Sequence, residues 1–250
     1  MVNEQPPMHP GSTASPVVTT GGGDRLAAIR GGLVVSCQAP VGDALRDPEI
    51  MTAMAVSVVG AGAVGIRANG VSDVREIRAR VGLPLIGLWK DGLTGVYITP
   101  TSEHAVAVAR AGADIVAVDG TLRPRPDGRT LADSIAAVHS EGRLLMADVS
   151  TVDEGLAAQD AGADVVSTTL SGYTPDSPST DEPDLDLLAV LAGRLRIPVV
   201  AEGRIRTPAQ ASRALQLGAW AVVVGTAITA PAWIASQFVR ELATVRASSN

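Results

Sequence analysis

A Gly-Ala pair recurs along this chain at Gly62-Ala63, Gly112-Ala113, Gly162-Ala163 and Gly218-Ala219, each time after a segment of helical period and before an apolar run of strand length. The copies stand roughly fifty residues apart, the length of two βα units, so a four-fold repeat implies eight strands. In each copy the Gly is placed to take the left-handed backbone that ends a helix and turns the chain into the next strand. Such a chain folds as helices around a parallel sheet.

The apolar runs place the strands at Leu33 to Cys37, Val64 to Ala68, Leu85 to Lys90, Ile115 to Asp119, Leu144 to Asp148, Val165 to Thr169, Val199 to Glu202 and Ala221 to Val224. Helical periods fall near residues 48–59, 72–81, 103–111, 131–140, 152–161, 185–194, 209–217 and 233–242. Eight units in 250 residues match one closed (β/α)8 TIM barrel of the α/β class. An open doubly wound sheet would need a GxGxxG after its first strand, and none is evident. Residues 24–250 read as the barrel, and residues 1–23, rich in Pro, Gly, Ser and Thr, as a disordered N-terminal tail.

Hydrophobic residues make up 46% of the chain but aromatics only 2%, so the core must be built from Ala, Val, Leu and Ile. A formal charge of -6 leaves no basic stripe for nucleic-acid phosphates, and scarce aromatics leave no base-stacking platform; nucleic acid is not an expected partner. The longest apolar stretch, Met54 to Ile66, is interrupted by Ser57 and glycines and is too short for a membrane span. The tail has no basic region followed by an apolar run, so it is not a secretory signal, and a cytoplasmic protein is expected. Gly21-Gly22-Gly23 reads as a flexible linker, because no GK[ST] follows it. Cys37, the single cysteine, is expected as a small buried residue. His9 falls in the tail and His104 and His139 in helices, so no His-based metal site is expected at the barrel mouth.

Reactive groups of a β/α barrel sit at the carboxyl ends of its strands. Those ends are Gln38, Arg67, Lys90, Asp119, Asp148, Thr168, Glu202 and Gly225. Lys90 stands out because it is the only lysine; every other basic side chain but histidine is Arg. Lysine can lose its proton when buried or placed beside another cation, whereas guanidinium cannot, so a lysine kept at a strand end suits a base. Glu202 ends the apolar run Pro198-Val199-Val200-Ala201, where desolvation would raise its pKa into a useful range, unless it merely pairs with Arg204 or Lys90. Asp148 either joins this site or caps the following helix. Glu202-Gly203-Arg204 and Gly225-Thr226-Ala227 place small residues where backbone N–H groups and a short helix start can cradle an anion.

The motifs Val35-Ser36-Cys37-Gln38-Ala39, Gly65-Ile66-Arg67-Ala68, Gly87-Leu88-Trp89-Lys90, Tyr97-Ile98-Thr99-Pro100-Thr101, Gly142 to Asp148, Ser167 to Pro175 and Glu202-Gly203-Arg204-Ile205 resemble the N-acetylmannosamine-6-phosphate 2-epimerases of bacterial sialic-acid catabolism. The likeness runs from about Arg30 to Leu242. It implies a β/α barrel that interconverts N-acetylmannosamine 6-phosphate and N-acetylglucosamine 6-phosphate without metal or nucleotide cofactor. By the same resemblance, Lys90 exchanges the C2 proton and Glu202 is the second acid/base group, while Gln38, Arg67 and Asp148 hold the sugar and its acetamido group. Thr168, Gly203, Arg204, Gly225 and Thr226 complete the expected substrate contacts. One departure stands out: where the family usually reads GxAITRP after the eighth strand, this chain has Ala230 before Pro231. Either Arg206, where the family commonly has asparagine, replaces the lost phosphate contact, or the substrate is unphosphorylated or more weakly bound. The expected partner is a small sugar phosphate, with room left for a homo-oligomer. Another phosphate-binding barrel isomerase or synthase, or a barrel that senses a sugar phosphate without turning it over, are the alternatives.

Overall fold

The protein, described by a computed structural model over residues 22–248, forms a closed barrel of eight parallel strands. These are β1 (Leu33–Cys37), β2 (Gly65–Asn69), β3 (Leu85–Leu88), β4 (Ile115–Asp119), β5 (Leu144–Asp148), β6 (Val165–Ser167), β7 (Val199–Ala201) and β8 (Ala221–Val224). Each pairs with its neighbour in sequence, and β8 closes on β1 through Leu33↔Val222, Val34↔Val223 and Val35↔Val224. After α1 (Gly22–Ala28), helices α2 (Pro48–Gly60), α3 (Val71–Arg80), α4 (Ser102–Arg110), α5 (Leu131–Ser140), α6 (Val152–Ala161), α7 (Leu185–Arg194) and α8 (Pro208–Gln216) fill the crossovers. The short α9 (Thr226–Thr229) and the C-terminal α10 (Pro231–Ser248) follow β8.

All four repeat glycines have the expected left-handed backbone: Gly62 and Gly162 at φ 100°, Gly112 at 113° and Gly218 at 100°. Four strand boundaries differ from the expected ones. β2 runs through to Asn69, so Arg67 lies inside the strand rather than at its end, and β3, β6 and β7 stop before Lys90, Thr168 and Glu202. At these ends side chains take over the ladder. The Lys90 amide donates to Asn69 Oδ1 at 2.8 Å, and the Glu202 amide donates to Thr168 Oγ1 at 3.1 Å.

Period-two alternation divides the apolar residues into two cores. Val34, Ile86, Leu88, Ile115, Ala117, Met146, Val165, Val200, Ala221 and Val223 fill the barrel. Val35, Cys37, Ile66, Ala68, Val116, Val118, Leu145, Ala147, Val166 and Val222 face the helices. Cys37 is fully enclosed there, and burial pushes its thiol up to about 12, which keeps it an inert apolar filler. Gly87 allows a close approach of helices to the barrel, since a Cβ there would stand 2.7 Å from both Ala113 Cβ and Val108 Cγ1. At the mouth, α5, α6 and α8 begin with capping boxes formed by Thr130 with Asp133, Thr151 with Glu154 and Thr207 with Gln210. Each satisfies two first-turn backbone donors and fixes where its loop enters the helix.

Helix α1 closes the opposite end. Trp220 Nε1 donates to the Leu26 carbonyl at 2.9 Å, Gly31 N–H to the Trp220 carbonyl at 2.7 Å, and Arg25 to the Gly82 carbonyl at 2.7 Å. Leu26 and the fully buried Ile29 pack into the interior core beside Val34 and Ala221. Gly22 and Gly23, expected within a flexible tail, are instead the first residues of this helix; the rest of that tail lies outside the described residues. Ile29→Ala is expected to cost about 2–5 kcal/mol, because a buried side chain is deleted from a plug that cannot collapse around the gap. Urea denaturation should show the loss, while kcat of the folded fraction stays unchanged, since the site lies at the other end.

Candidate active site

The same alternation that fills the barrel with Val, Ile and Ala brings a polar layer to its carboxyl end. On β2, Arg67 is enclosed, with 1% of its side chain exposed, and its guanidinium reaches across the barrel. It donates to Asp148 on β5 from Nη2 to Oδ2 at 2.6 Å and from Nη1 to Oδ1 at 3.2 Å. The same Nη1 lies 2.9 Å from Oε2 of Glu202, just past β7. Thr169 Oγ1 joins the two carboxylates, 2.8 Å from Asp148 Oδ1 and 3.1 Å from Glu202 Oε2. Burial disfavours the Arg67 charge, but Asp148 and Glu202 outweigh that and hold it protonated. Removing one partner from so enclosed a pair typically costs about 3–5 kcal/mol, so the cluster is rigid. Asp148 therefore belongs to the site, and the cap of α6 is Thr151. Glu202 pairs with Arg67, which the sequence did not suggest, and not with Arg204.

Lys90 stands over this cluster on a hairpin-like return of the β3–α4 loop. Its residue bridges antiparallel to Ile98, and Thr99 ties the return to the barrel through Thr99 Oγ1 to the Ala117 carbonyl at 2.6 Å. Thr99 has φ 47°, a conformation held by full burial and by hydrogen bonds with Trp89 in both directions. Solvent reaches Lys90 through the open mouth, yet protein crowds the amine on its inner side. That loss of hydration pulls its pKa below the usual lysine value, Arg67 adds to the fall, and Glu202 and Asp148 oppose it. No hydrogen bond or ion pair engages the Lys90 ammonium among the described residues. For Glu202, burial raises the carboxyl above its ordinary value; Arg67 works against this and Asp148 with it.

Lys90, Arg67 and Glu202 face one cavity of about 1020 Å³, walled also by Gln38, Gly203, Arg204, Arg206, Gly225 and Thr226 among the expected residues. Gln38 Nε2 donates to Ser36 Oγ at 2.8 Å, and its Oε1 is buried without a partner. Asp148, fully buried against Arg67, does not reach the wall, and neither does Thr168. Thr168 has the outward parity of Val166, and its hydroxyl bridges the backbone of Glu202; Thr169, of inward parity, meets the cavity instead. Asp119, another strand end, turns to Thr121 and Arg123 and is not part of the cavity wall. Arg204 also departs from expectation, because its guanidinium is occupied. It donates to the carbonyls of Ser171 at 2.5 Å and Glu182 at 2.8 Å and lies over the Tyr173 ring, clasping the β6–α7 loop. Gly172 makes room for it: a Cβ there would fall 2.4 Å from Arg204 Nη1.

Arg206 has no ion-pair partner among the described residues and rests 5.4 Å from the centre of the Trp233 ring, on the same cavity wall as Ala230. The amides of Gly203 and Arg204 make no hydrogen bond among the described residues. Sequence reasoning missed Asn69, Thr169, Tyr97 and Trp233, all on the cavity wall. Strand parity would have found the first two; the others sit on loops and on α10, where no period applies. Among the described residues no three His, Cys, Asp or Glu side chains gather as metal ligands.

Comparison with known proteins agrees with this geometry. Residues 51–244 match the family model described as "Putative N-acetylmannosamine-6-phosphate epimerase". A Cutibacterium acnes protein with the corresponding 2-epimerase description is 53% identical over 216 residues, covering 85% of this chain and 94% of its own. The solved N-acetylmannosamine-6-phosphate 2-epimerase of Clostridium perfringens superposes with a TM-score of 0.85 at 41% identity, over 92% of this chain and 99% of that one. A thiamine phosphate pyrophosphorylase from Pyrococcus furiosus, at 18% identity and a TM-score of 0.56 over 83% of this chain and 90% of its own, shares the fold alone. With a family model matching residues 51–244 and relatives covering most of the chain, the chain belongs to the N-acetylmannosamine-6-phosphate epimerase family.

Proposed function

We propose that this chain interconverts N-acetylmannosamine 6-phosphate and N-acetylglucosamine 6-phosphate by proton transfer at C2, with Lys90 and Glu202 as the acid/base pair. The observation that carries it is an amine of lowered pKa, unpartnered among the described residues, that shares one cavity with Glu202 and with Arg67, which the buried Asp148 holds. A C2 hydrogen is acidic only when C1 is an aldehyde, so the pyranose opens first: O1 loses its proton, the C1–O5 bond breaks and O5 gains a proton. Glu202, a carboxyl that keeps its proton to higher pH than usual, suits this exchange. The neutral Lys90 amine then takes the C2 proton, and the electron pair moves into a C1–C2 double bond as O1 becomes an enolate oxygen. A proton returned to the other face of C2 gives the epimer. Positive charge at Lys90 stabilises the enolate while it lasts. Gln38 Oε1, which lacks a donor, is matched in chemistry to the acetamido N–H.

The phosphate is assigned to the wall formed by Gly203, Gly225, Thr226 and Arg206. Arg206→Ala is expected to raise KM for the phosphorylated sugar about tenfold to hundredfold, the effect of one charge-assisted hydrogen bond worth about 1.5–3 kcal/mol. Turnover should change little, because the phosphate is remote from C2 and supplies uniform binding. Ala230→Arg should recover part of the loss. An unchanged KM would leave the phosphate to backbone amides alone.

Incubation with N-acetylmannosamine 6-phosphate, followed by proton NMR, tests the function itself. Appearance of the 2-epimer supports it. Binding without turnover would favour a sensor, and neither binding nor turnover would favour another barrel enzyme.

A further inference from the structure

Lys90 is aimed into the cavity by its backbone, since among the described residues no group holds its ammonium. In an extended segment the neighbours of a residue point the opposite way. Those neighbours are Trp89 and Asp91, and both meet one side chain, His104 on the first turn of α4. The Trp89 and His104 rings stand edge to face with centroids 4.4 Å apart, and His104 Nε2 lies 3.2 Å from Asp91 Oδ2. His104 is itself oriented. The Thr101 hydroxyl accepts from the His104 amide at 3.3 Å, which leaves its own proton for Nδ1, 2.7 Å away. With the Thr101 hydroxyl on Nδ1, the ring turns Nε2 toward the Asp91 carboxylate, within ion-pair distance. The Asp91 amide in turn donates to the Tyr97 carbonyl at 3.0 Å and closes the return of the loop. Trp89, Asp91 and His104 are all absent from the cavity wall.

We propose that His104 is a positioning residue for Lys90: by holding Trp89 and Asp91 on the outer face of the β3–α4 loop, it fixes the inward aim of the amine between them. The proposal rests on the epimerase function. It gives α4, which touches no substrate, a part in the rate and none in affinity, because a base displaced by about an ångström can lose about a hundredfold in rate while binding surfaces stay intact.

The experiment compares kcat and KM of the wild type with His104→Ala, His104→Gln, Asp91→Ala and the double alanine variant, all checked for melting temperature. His104→Ala is expected to lower kcat about tenfold to hundredfold with KM within about threefold. Asp91 is a largely exposed side chain, so Asp91→Ala folds without penalty and should lose kcat in the same sense, and the double variant should be no worse than the poorer single one. Glutamine, whose amide can reach the Asp91 carboxylate, should recover most of the rate. If the wild type turns over and both alanine variants keep its kcat, or if glutamine recovers nothing, the positioning role is overturned. If the wild type itself gives no epimer, the function fails instead.

Discussion

Lys90→Arg is expected to remove about a hundredfold to ten-thousandfold of the epimerisation rate while leaving the barrel folded. Arginine keeps the positive charge and much of the length, but its guanidinium does not deprotonate near neutral pH, so any role that needs only a cation survives and proton transfer does not. The fold should tolerate the change because the Lys90 ammonium has no partner among the described residues and the residue is open to solvent at the mouth. The wild-type enzyme, run in deuterium oxide, should place deuterium at C2 of both sugars, since the proton taken by the amine exchanges before it returns. The variant should show neither the label nor the epimer, with a melting temperature close to that of the wild type. Substantial activity in the arginine variant would remove Lys90 from proton transfer and leave it an electrostatic role.

The barrel was legible because its repeat is written twice, in apolar runs and in the glycines that turn helices into strands. Those glycines are fixed by backbone sterics, so each one constrains a boundary regardless of tertiary context. The polar ends were harder. Counting apolar residues placed the sixth strand end at Thr168, whereas alternation from Val165 through Ser167 points Thr169 inward; parity, and not the last polar letter, decides which side chain meets the cavity. Arg67 was misplaced for a related reason. An arginine looks like the end of an apolar strand, yet here it lies within one, sustained by two carboxylates from β5 and the end of β7 that no local pattern connects. The roles of Arg204 and His104 were hidden because each depends on a loop folding back, and the partners, Ser171 and Glu182 in one case and Asp91 in the other, are joined only by tertiary structure.

Glu202→Gln separates catalysis from stability in the opposite sense to most site variants. Activity should fall about a hundredfold or more, since the amide can neither give nor take a proton during ring opening or reprotonation. The melting temperature near neutral pH should be equal to or above that of the wild type. Burial raises the Glu202 pKa, so the folded state binds its proton more tightly than the unfolded chain does. The stability linked to that proton is fully present below the unfolded pKa and is lost as pH rises through the folded one, so wherever the folded carboxyl is ionised its charge is a cost that glutamine removes. Arg67 stays paired with Asp148, so no buried cation is abandoned. The pH profile should change as well. In the wild type, Lys90 and Glu202 titrate as a pair, and activity should fall at low pH, where no base remains, and at high pH, where no acid remains. Without Glu202 the high-pH fall should vanish. The remaining rise should report the Lys90 amine alone. A variant that keeps both limbs would show that the acid is some group other than Glu202.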